Sequence, residues 1–255
     1  VPTGVDITDK VMLPKIIRWM RVVSYVHFGT PCTTMSRARR HDGGPAPLRS
    51  AEFLEGLPGL TDFNQRKVTE GNHLAQITID LIKLLKVGQF WSVENPEHSF
   101  LWQFREFREW SSRHVRALLH MCAFGSRAKK PTVILSNMQS MISAGWTCSG
   151  CPKHQSLSGK VQVLENGLWV WKWRTKLAQV YPGPLCEAIV ASATDQRDGK
   201  PQYQLKPSPF LRSFDIKTPA QERKRPLGQP APGITGSEFG QHAVISGYQS
   251  KKGRV

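Results

Sequence analysis

Val22-Val23-Ser24-Tyr25-Val26-His27-Phe28 is β-branched or aromatic at most positions and reads as a buried strand. It ends at Gly29-Thr30-Pro31-Cys32. On its N-terminal side, Asp9 is placed to cap a helix from Lys10 to about Arg21, with Pro14 tolerated in the first turn. On its C-terminal side, residues 37–70 are rich in Arg, Gly and Pro and read as a long loop, a length that is usually functional or disordered. Asn72 is placed to cap the next helix, whose Leu74, Ile77, Leu81, Leu84 and Leu85 follow the helical period. Beyond Gly88, Phe90–Val93 reads as a short strand that runs into Glu94-Asn95-Pro96. A second helix is expected from about Ser99 to His120, and further strands at Leu118–Phe124 and Thr132–Asn137. Strands alternating with helices across such long connections predict an α/β fold with an open, mostly parallel sheet.

Length and charge frame the rest. The chain has 255 residues, and 35 Lys plus Arg against 19 Asp plus Glu give a net +16. No apolar run is long enough to span a membrane. A secretory signal pattern is absent from the first residues. The positive charge favours a polyanion, nucleic acid before an anionic membrane surface, with ordinary solubilising charge as the bland alternative. Five cysteines are too few for a disulfide framework and point to an intracellular, reducing compartment, the nucleus in a eukaryote. No obligate protein partner is evident. Residues 194–255 are basic and Pro-rich with few large apolar side chains, and are expected to be a disordered tail. Arg223-Lys224-Arg225 within it suits a nuclear address, a phosphate contact or a plain solvated charge run.

Ligands of open α/β sheets bind beyond the carboxyl ends of the strands. Two of the expected strand ends carry reactive groups, Cys32 and Glu94. On adjacent strands they would face one cleft. A thiolate can add to an electron-poor ring carbon. A protonated carboxyl beside it can donate to a ring nitrogen and make that carbon more electrophilic. Arg37, Arg39 and Arg40 follow the cysteine and could hold phosphates. Against this, a lone Cys is most often a small buried hydrophobe, and Glu-Asn-Pro is often only a turn.

Two further clusters stand out. Cys148-Ser149-Gly150-Cys151 followed by His154 offers three zinc ligands, with His120 or Cys122 as a candidate fourth; the alternative is a reduced, unligated pair in a turn. Trp169, Trp171 and Trp173 alternate with Val170, Lys172 and Arg174. They read as one face of a half-buried strand, or as a platform for unpaired bases.

The ordered set of motifs resembles the DNA cytosine-5 methyltransferases, in particular a compact variant of phages and mobile elements. It consists of Pro31-Cys32 with Ser36 four residues on, Val93-Glu94-Asn95-Pro96, Phe124-Gly125 through Lys129-Lys130-Pro131 to Asn137, His154 through Gly159, and Tyr181-Pro182-Gly183-Pro184-Leu185-Cys186. The resemblance covers roughly residues 5–193. It implies a Rossmann-like methyltransferase sheet. Residues 1–137 would be a partial catalytic core, 138–193 a small target-recognition-like segment with a closing helix, and 194–255 the tail.

By the same resemblance, Cys32 is the nucleophile that adds to carbon 6 of a flipped cytosine, and Glu94 the acid at ring nitrogen 3 and the exocyclic amine. Pro31 shapes the loop, Ser36 lies in the same stretch, and Asn95 buttresses the turn. Arg127 and Lys129 match the paired basic residues that steady the flipped base, although Lys lacks the planar fork of Arg. The methyl donor is S-adenosylmethionine and the partner is DNA. The family's Phe-x-Gly-x-Gly cofactor loop has no match here, and Asp6 is a weak match to the acidic residue that contacts the adenine. The resemblance therefore implies a truncated protein, with about three strand–helix units expected in front. Two functions follow: a methyltransferase-like protein, inactive if the fragment stands alone, or a non-catalytic basic nucleic-acid-binding protein derived from a mobile element.

Overall fold

In a computed structural model of the protein, residues 7–39, 44–151, 153–199 and 243–246 are described. Helix α1 (Met12–Met20) is followed by β1 (Tyr25–Gly29), α2 (Asp62–Lys83) and β2 (Phe90–Pro96). Then come α3 (Arg105–Arg113), β3 (Val115–His120), β4 (Pro131–Ser136), the pair β5 (Lys160–Glu165) and β6 (Leu168–Trp173), a single turn α4 (Arg174–Leu177), and α5 (Gly183–Asp198). The fold is mixed α/β. The main sheet runs in the order β3-β4-β2-β1, with β7 (Ala243–Ser246) beside β1.

The expected parallel sheet is corrected to a mixed one. β1 pairs in parallel with β2 and with β7, whereas β4 is antiparallel to both β2 and β3. β1, β2 and β3 therefore point the same way and β4 alone is reversed. The cause is the connection length. β3 ends at His120, turns through Met121–Phe124 and Gly125, whose φ is 94°, and returns as β4. So short a link cannot make a crossover. β4 carries apolar side chains on both faces, Val133 and Leu135 on one and Ile134 on the other, so it takes an interior position.

Several boundaries also differ from the sequence reading. The first strand starts at Tyr25, because Gln89 Nε2 donates to the carbonyls of Met20 (2.7 Å) and Val23 (2.6 Å) and holds that stretch as a turn. Val22 is left exposed. The cap of α2 is Thr61, whose hydroxyl accepts from Asn64 N–H, so the helix takes in part of the expected loop. Asn72 sits inside it. The expected helix from 99 to 120 breaks at Phe104, which is extended (ψ 143°), into a 3-10 turn Phe100–Gln103 and α3, and at His114 into β3. The expected disordered tail is corrected at two places: α5 runs on to Asp198, and Ala243–Ser246 forms β7 on the edge of β1. Residues 200–242 and 247–255 lie outside the described residues.

Two apolar layers enclose the sheet. α1, α2, α3 and the Phe100–Gln103 turn cover one face, against Val26, Phe28, Trp91, Val93, Val133 and Leu135. The other face holds Tyr25, Ala117, Leu119 and Ile134 under the 139–144 turn and α5, through Met141, Leu185, Ala188 and Ile189. Strand alternation sends His27, Ser92 and Glu94 to this second face. Among the described residues no helix is long and apolar enough to cross a membrane.

Candidate active site and a thiol cluster

The segment after β1 is held from three sides. The Cys32 carbonyl accepts from the N–H groups of Met35 (3.0 Å) and Ser36 (2.8 Å), which closes a tight turn around the thiol. Met35 is buried and its carbonyl accepts from Phe100 N–H at 2.8 Å. Thr34 Oγ1 accepts from Arg49 Nη2 at 3.0 Å. Arg49, 2% exposed, also donates to Val68 O (3.1 Å), Asn72 Oδ1 (2.6 Å) and the Leu54 carbonyl. Burial brings its pKa down to about 10, and its Nε has no partner. Gly71 permits this clasp, since a Cβ there would lie 2.5 Å from Thr34 Oγ1.

β2 delivers Glu94 beside this turn. The register pairs Phe28 with Val93, which leaves Gly29 at the end of β1 and Glu94, two residues before the end of β2, as the next residues along two adjacent parallel strands. Asn95 Nδ2 donates to Thr30 O at 2.7 Å and ties the two ends together; its Oδ1 is buried without a partner. Glu94 is 6% exposed. Both its oxygens accept: Oε2 from the Tyr181 hydroxyl at 2.8 Å, and Oε1 from Lys130 Nζ at 3.5 Å. Two donors thus converge on this carboxyl group. Lys130 has a φ of 28°, on the left-handed side of the backbone map, which a residue with a side chain adopts at a cost of about 1–3 kcal/mol.

Behind Glu94 runs a buried polar chain. His27 Nε2 lies 3.3 Å from the Tyr181 oxygen, His27 Nδ1 lies 2.7 Å from Ser92 Oγ, and Ser92 Oγ lies 2.5 Å from the Tyr25 hydroxyl. Donor bookkeeping sets its direction. With Tyr181 donating to Glu94, a neutral His27 donates from Nε2 to Tyr181 and accepts at Nδ1 from Ser92, which accepts from Tyr25. Burial lowers the His27 pKa to about 4, consistent with the neutral ring. Burial also pushes the Tyr25 and Tyr181 hydroxyls up, with Glu94 adding to the effect at Tyr181.

Cys32 is partly buried. Burial raises its pKa first, Lys130 opposes this, and Glu94 adds to it. The three groups therefore share one electrostatic environment, in which the resting thiol is a protonated one.

Pro31 is half-buried beside Cys32. Ser36 Oγ accepts from Ala38 N–H at 3.1 Å. It lines a cavity of about 310 Å³ with Arg37, Arg39, Arg49 and Phe100, next to the cysteine turn rather than at Glu94. Arg127 and Lys129 are exposed, and the cation that reaches Glu94 is Lys130. Asp6 and Arg40 lie outside the described residues.

No family model, no curated protein and no solved structure matches the chain. The site therefore stands on its own geometry.

Lys130, Tyr181 and His27 were missed as site residues in the sequence. His27 carried a signal, a polar ring in the middle of an apolar strand. Lys130 carried none, because its position follows from the antiparallel register that pairs Pro96 with Thr132. Tyr181 lies 87 residues from its partner Glu94.

The crowded glycines Gly56, Gly71 and Gly145 meet Val68, Thr34 and Ile142 of the same chain, not space for a ligand.

A separate cluster lies at the far end of β3. Cys122, Cys148, Cys151 and His154 place their ligand atoms within 4.8 Å of one another. Cys148 Sγ lies 3.4 Å from His154 Nε2 and accepts from Cys151 N–H at 3.3 Å. These amide contacts lower the Cys148 pKa to about 6, while burial and the neighbouring thiols raise that of Cys122 to about 12. His120 is not in the set: its Nδ1 accepts from Cys148 N–H at 2.8 Å. The tryptophan strand is half of the hairpin β5–β6, turned by Asn166-Gly167 with φ values of 51° and 79°. That Asn-Gly pair was a legible hairpin signal. Trp169 and Trp171 are exposed on it.

Proposed function

We propose that the chain is a cytosine-5 methyltransferase-like protein with a Rossmann-like sheet, acting on DNA, and that Cys32 and Glu94 are its reacting pair. One observation carries this reading: a thiol and a buried carboxylate at the carboxyl ends of adjacent parallel strands, with Lys130 on the carboxylate. In the reaction, Cys32 passes its proton to the Glu94 carboxylate and its sulfur lone pair forms a bond to carbon 6 of the pyrimidine. The carbon 5–carbon 6 π pair moves to carbon 5 and becomes the nucleophile of the next step. Lys130 favours the thiolate. Glu94 accepts from the exocyclic amine and passes the proton taken from Cys32 on to ring nitrogen 3, which offsets the negative charge the addition brings into the ring. This reading assigns the described residues to activating the ring, the stage before a methyl donor is used.

The test is a DNA duplex containing pyrimidin-2-one, an electrophilic cytosine analogue that needs no methyl donor to be trapped by a thiol. A covalent adduct on a denaturing gel is expected, lost in Cys32→Ser and slowed in Glu94→Gln. Its absence from the unaltered protein refutes the pairing.

A second reading, nucleic-acid binding without catalysis, is favoured by the protonated resting thiol and by exposed Arg127 and Lys129. It predicts strongly salt-dependent binding that survives Cys32→Ser.

A further inference from the structure

We propose that Cys122, Cys148, Cys151 and His154 form a structural zinc site that pins the segment after Trp146 to the β3–β4 connection. The inference is independent of methyl transfer and survives its failure.

The donor set is the first argument. Three thiols and one imidazole match the Cys₃His complement of closed, tetrahedral zinc sites. Zinc–sulfur bonds of about 2.3 Å and zinc–nitrogen bonds of about 2.0–2.1 Å imply donor separations of roughly 3.5–3.8 Å. All four donor atoms already lie within 4.8 Å of one another, and the Cys148–His154 pair is at 3.4 Å. The remaining gap to that geometry is about 1 Å at most, within the reach of side-chain rotation.

The frame around the donors is the second argument. Cys148 and Cys151 flank Gly150, whose φ of 112° is open to glycine and strained for other residues. That turn aims the Cys151 N–H at the Cys148 sulfur. Amide donors to a ligand sulfur, and the His120 ring that accepts the Cys148 N–H, are the outer contacts that orient metal ligands. Cys122 comes from 26 residues upstream of Cys148, in the 3-10 turn whose Met121 and Phe124 are buried. Trp146 stacks on Phe124 at 5.2 Å, and its carbonyl accepts from His120 N–H at 2.8 Å. Both arms of the site are therefore seated before a metal arrives.

The position gives the site its role. Past His154, Gln155 N–H donates to Arg127 O at 2.9 Å, in the same connection that ends in Lys130 beside Glu94. The segment from Thr147 to Gln155 adds no large apolar side chain to either core layer, and thiolate–metal bonds would supply the ordering that packing does not.

The experiment uses the whole chain, purified without chelator, with metal content measured by elemental analysis and the ligands by X-ray absorption. One zinc per chain is expected, with three sulfurs and one nitrogen at bonding distance. Cobalt(II) in its place should give a tetrahedral, thiolate-bound spectrum. Cys122→Ser and Cys148→Ser should each weaken metal binding by more than the roughly 100-fold that losing an outer contact costs. Cys186→Ser, at an exposed thiol outside the cluster, should keep the full metal content. Chelation should expose residues 147–155 to proteolysis while the sheet stays intact. A metal-free chain with no tetrahedral cobalt spectrum overturns the proposal. So does a Cys148–Cys151 disulfide in the freshly purified reduced protein, or a cobalt spectrum that Cys122→Ser leaves unchanged. The absorption measurement on the unaltered chain decides the matter even where a variant fails to fold.

Discussion

Cys32 and Cys148 are the same residue type in opposite surroundings. Cys32 sits at the end of a parallel strand pair, where burial and Glu94 hold its proton on against the pull of Lys130. Cys148 sits in an exposed turn, where backbone N–H groups stabilise the thiolate and bring its pKa to about 6. Low pKa alone therefore does not mark the nucleophile. The thiolate-favouring site is surrounded by further soft donors and suits a metal. The thiol-favouring site is surrounded by a carboxylate, an ammonium and a buried hydroxyl chain, and suits proton-coupled addition.

The largest expected effect separates the two sites outright. Cys32→Ser should abolish the pyrimidin-2-one adduct and leave zinc content unchanged, whereas Cys148→Ser should do the reverse to metal binding. Loss of both properties in either variant would merge the sites and break the comparison.

Next in size is the pH dependence built into the Cys32 side. His27 is neutral in the folded chain, with a pKa of about 4 against 6.5 when unfolded. The unfolded state therefore binds the extra proton first. The contribution is fully present above about pH 6.5 and is lost as pH falls towards 4, on the order of 3 kcal/mol. His27→Gln, which cannot titrate, should flatten that part of the stability profile in urea unfolding. An unchanged slope would mean that His27 is not buried neutral.

Tyr181→Phe removes the hydroxyl donated to Glu94 and leaves Oε2 without it. A stability loss of about 1–3 kcal/mol is expected by chemical denaturation. Adduct formation should slow while metal content stays constant. The smallest effect is kinetic. In the chelator-treated chain at neutral pH, Cys148 should alkylate faster than Cys32, since its greater thiolate fraction outweighs its lower intrinsic nucleophilicity. Mass mapping of the alkylated peptides checks this, and a faster Cys32 would reverse the electrostatic assignment.

Much of the candidate site was legible because its signals are local. The sequence places Cys32 and Glu94 at the ends of short apolar strands; Cys32 does follow β1, and Glu94 lies near the end of β2, which runs on to Pro96. The Cys148–Cys151–His154 spacing is likewise visible within seven residues. Lys130 was not legible, because the sequence offers Arg127, Lys129 and Lys130 within four positions and only the register of β4 selects among them. Cys122 was one of two candidates for the fourth ligand, and the fold brings its sulfur in while turning His120 to a backbone N–H.

The sequence by itself determined the α/β character, the apolar strands, the positive charge and the reactive residue types, because periodicity and composition are properties of neighbouring residues. The tertiary structure alone decided the reversed direction of β4, the pairing of Glu94 with Lys130 and Tyr181, and the meeting of Cys122 with Cys148, Cys151 and His154. Those contacts join residues that are 26 to 87 positions apart, and local propensity carries no information about which distant groups packing will bring together.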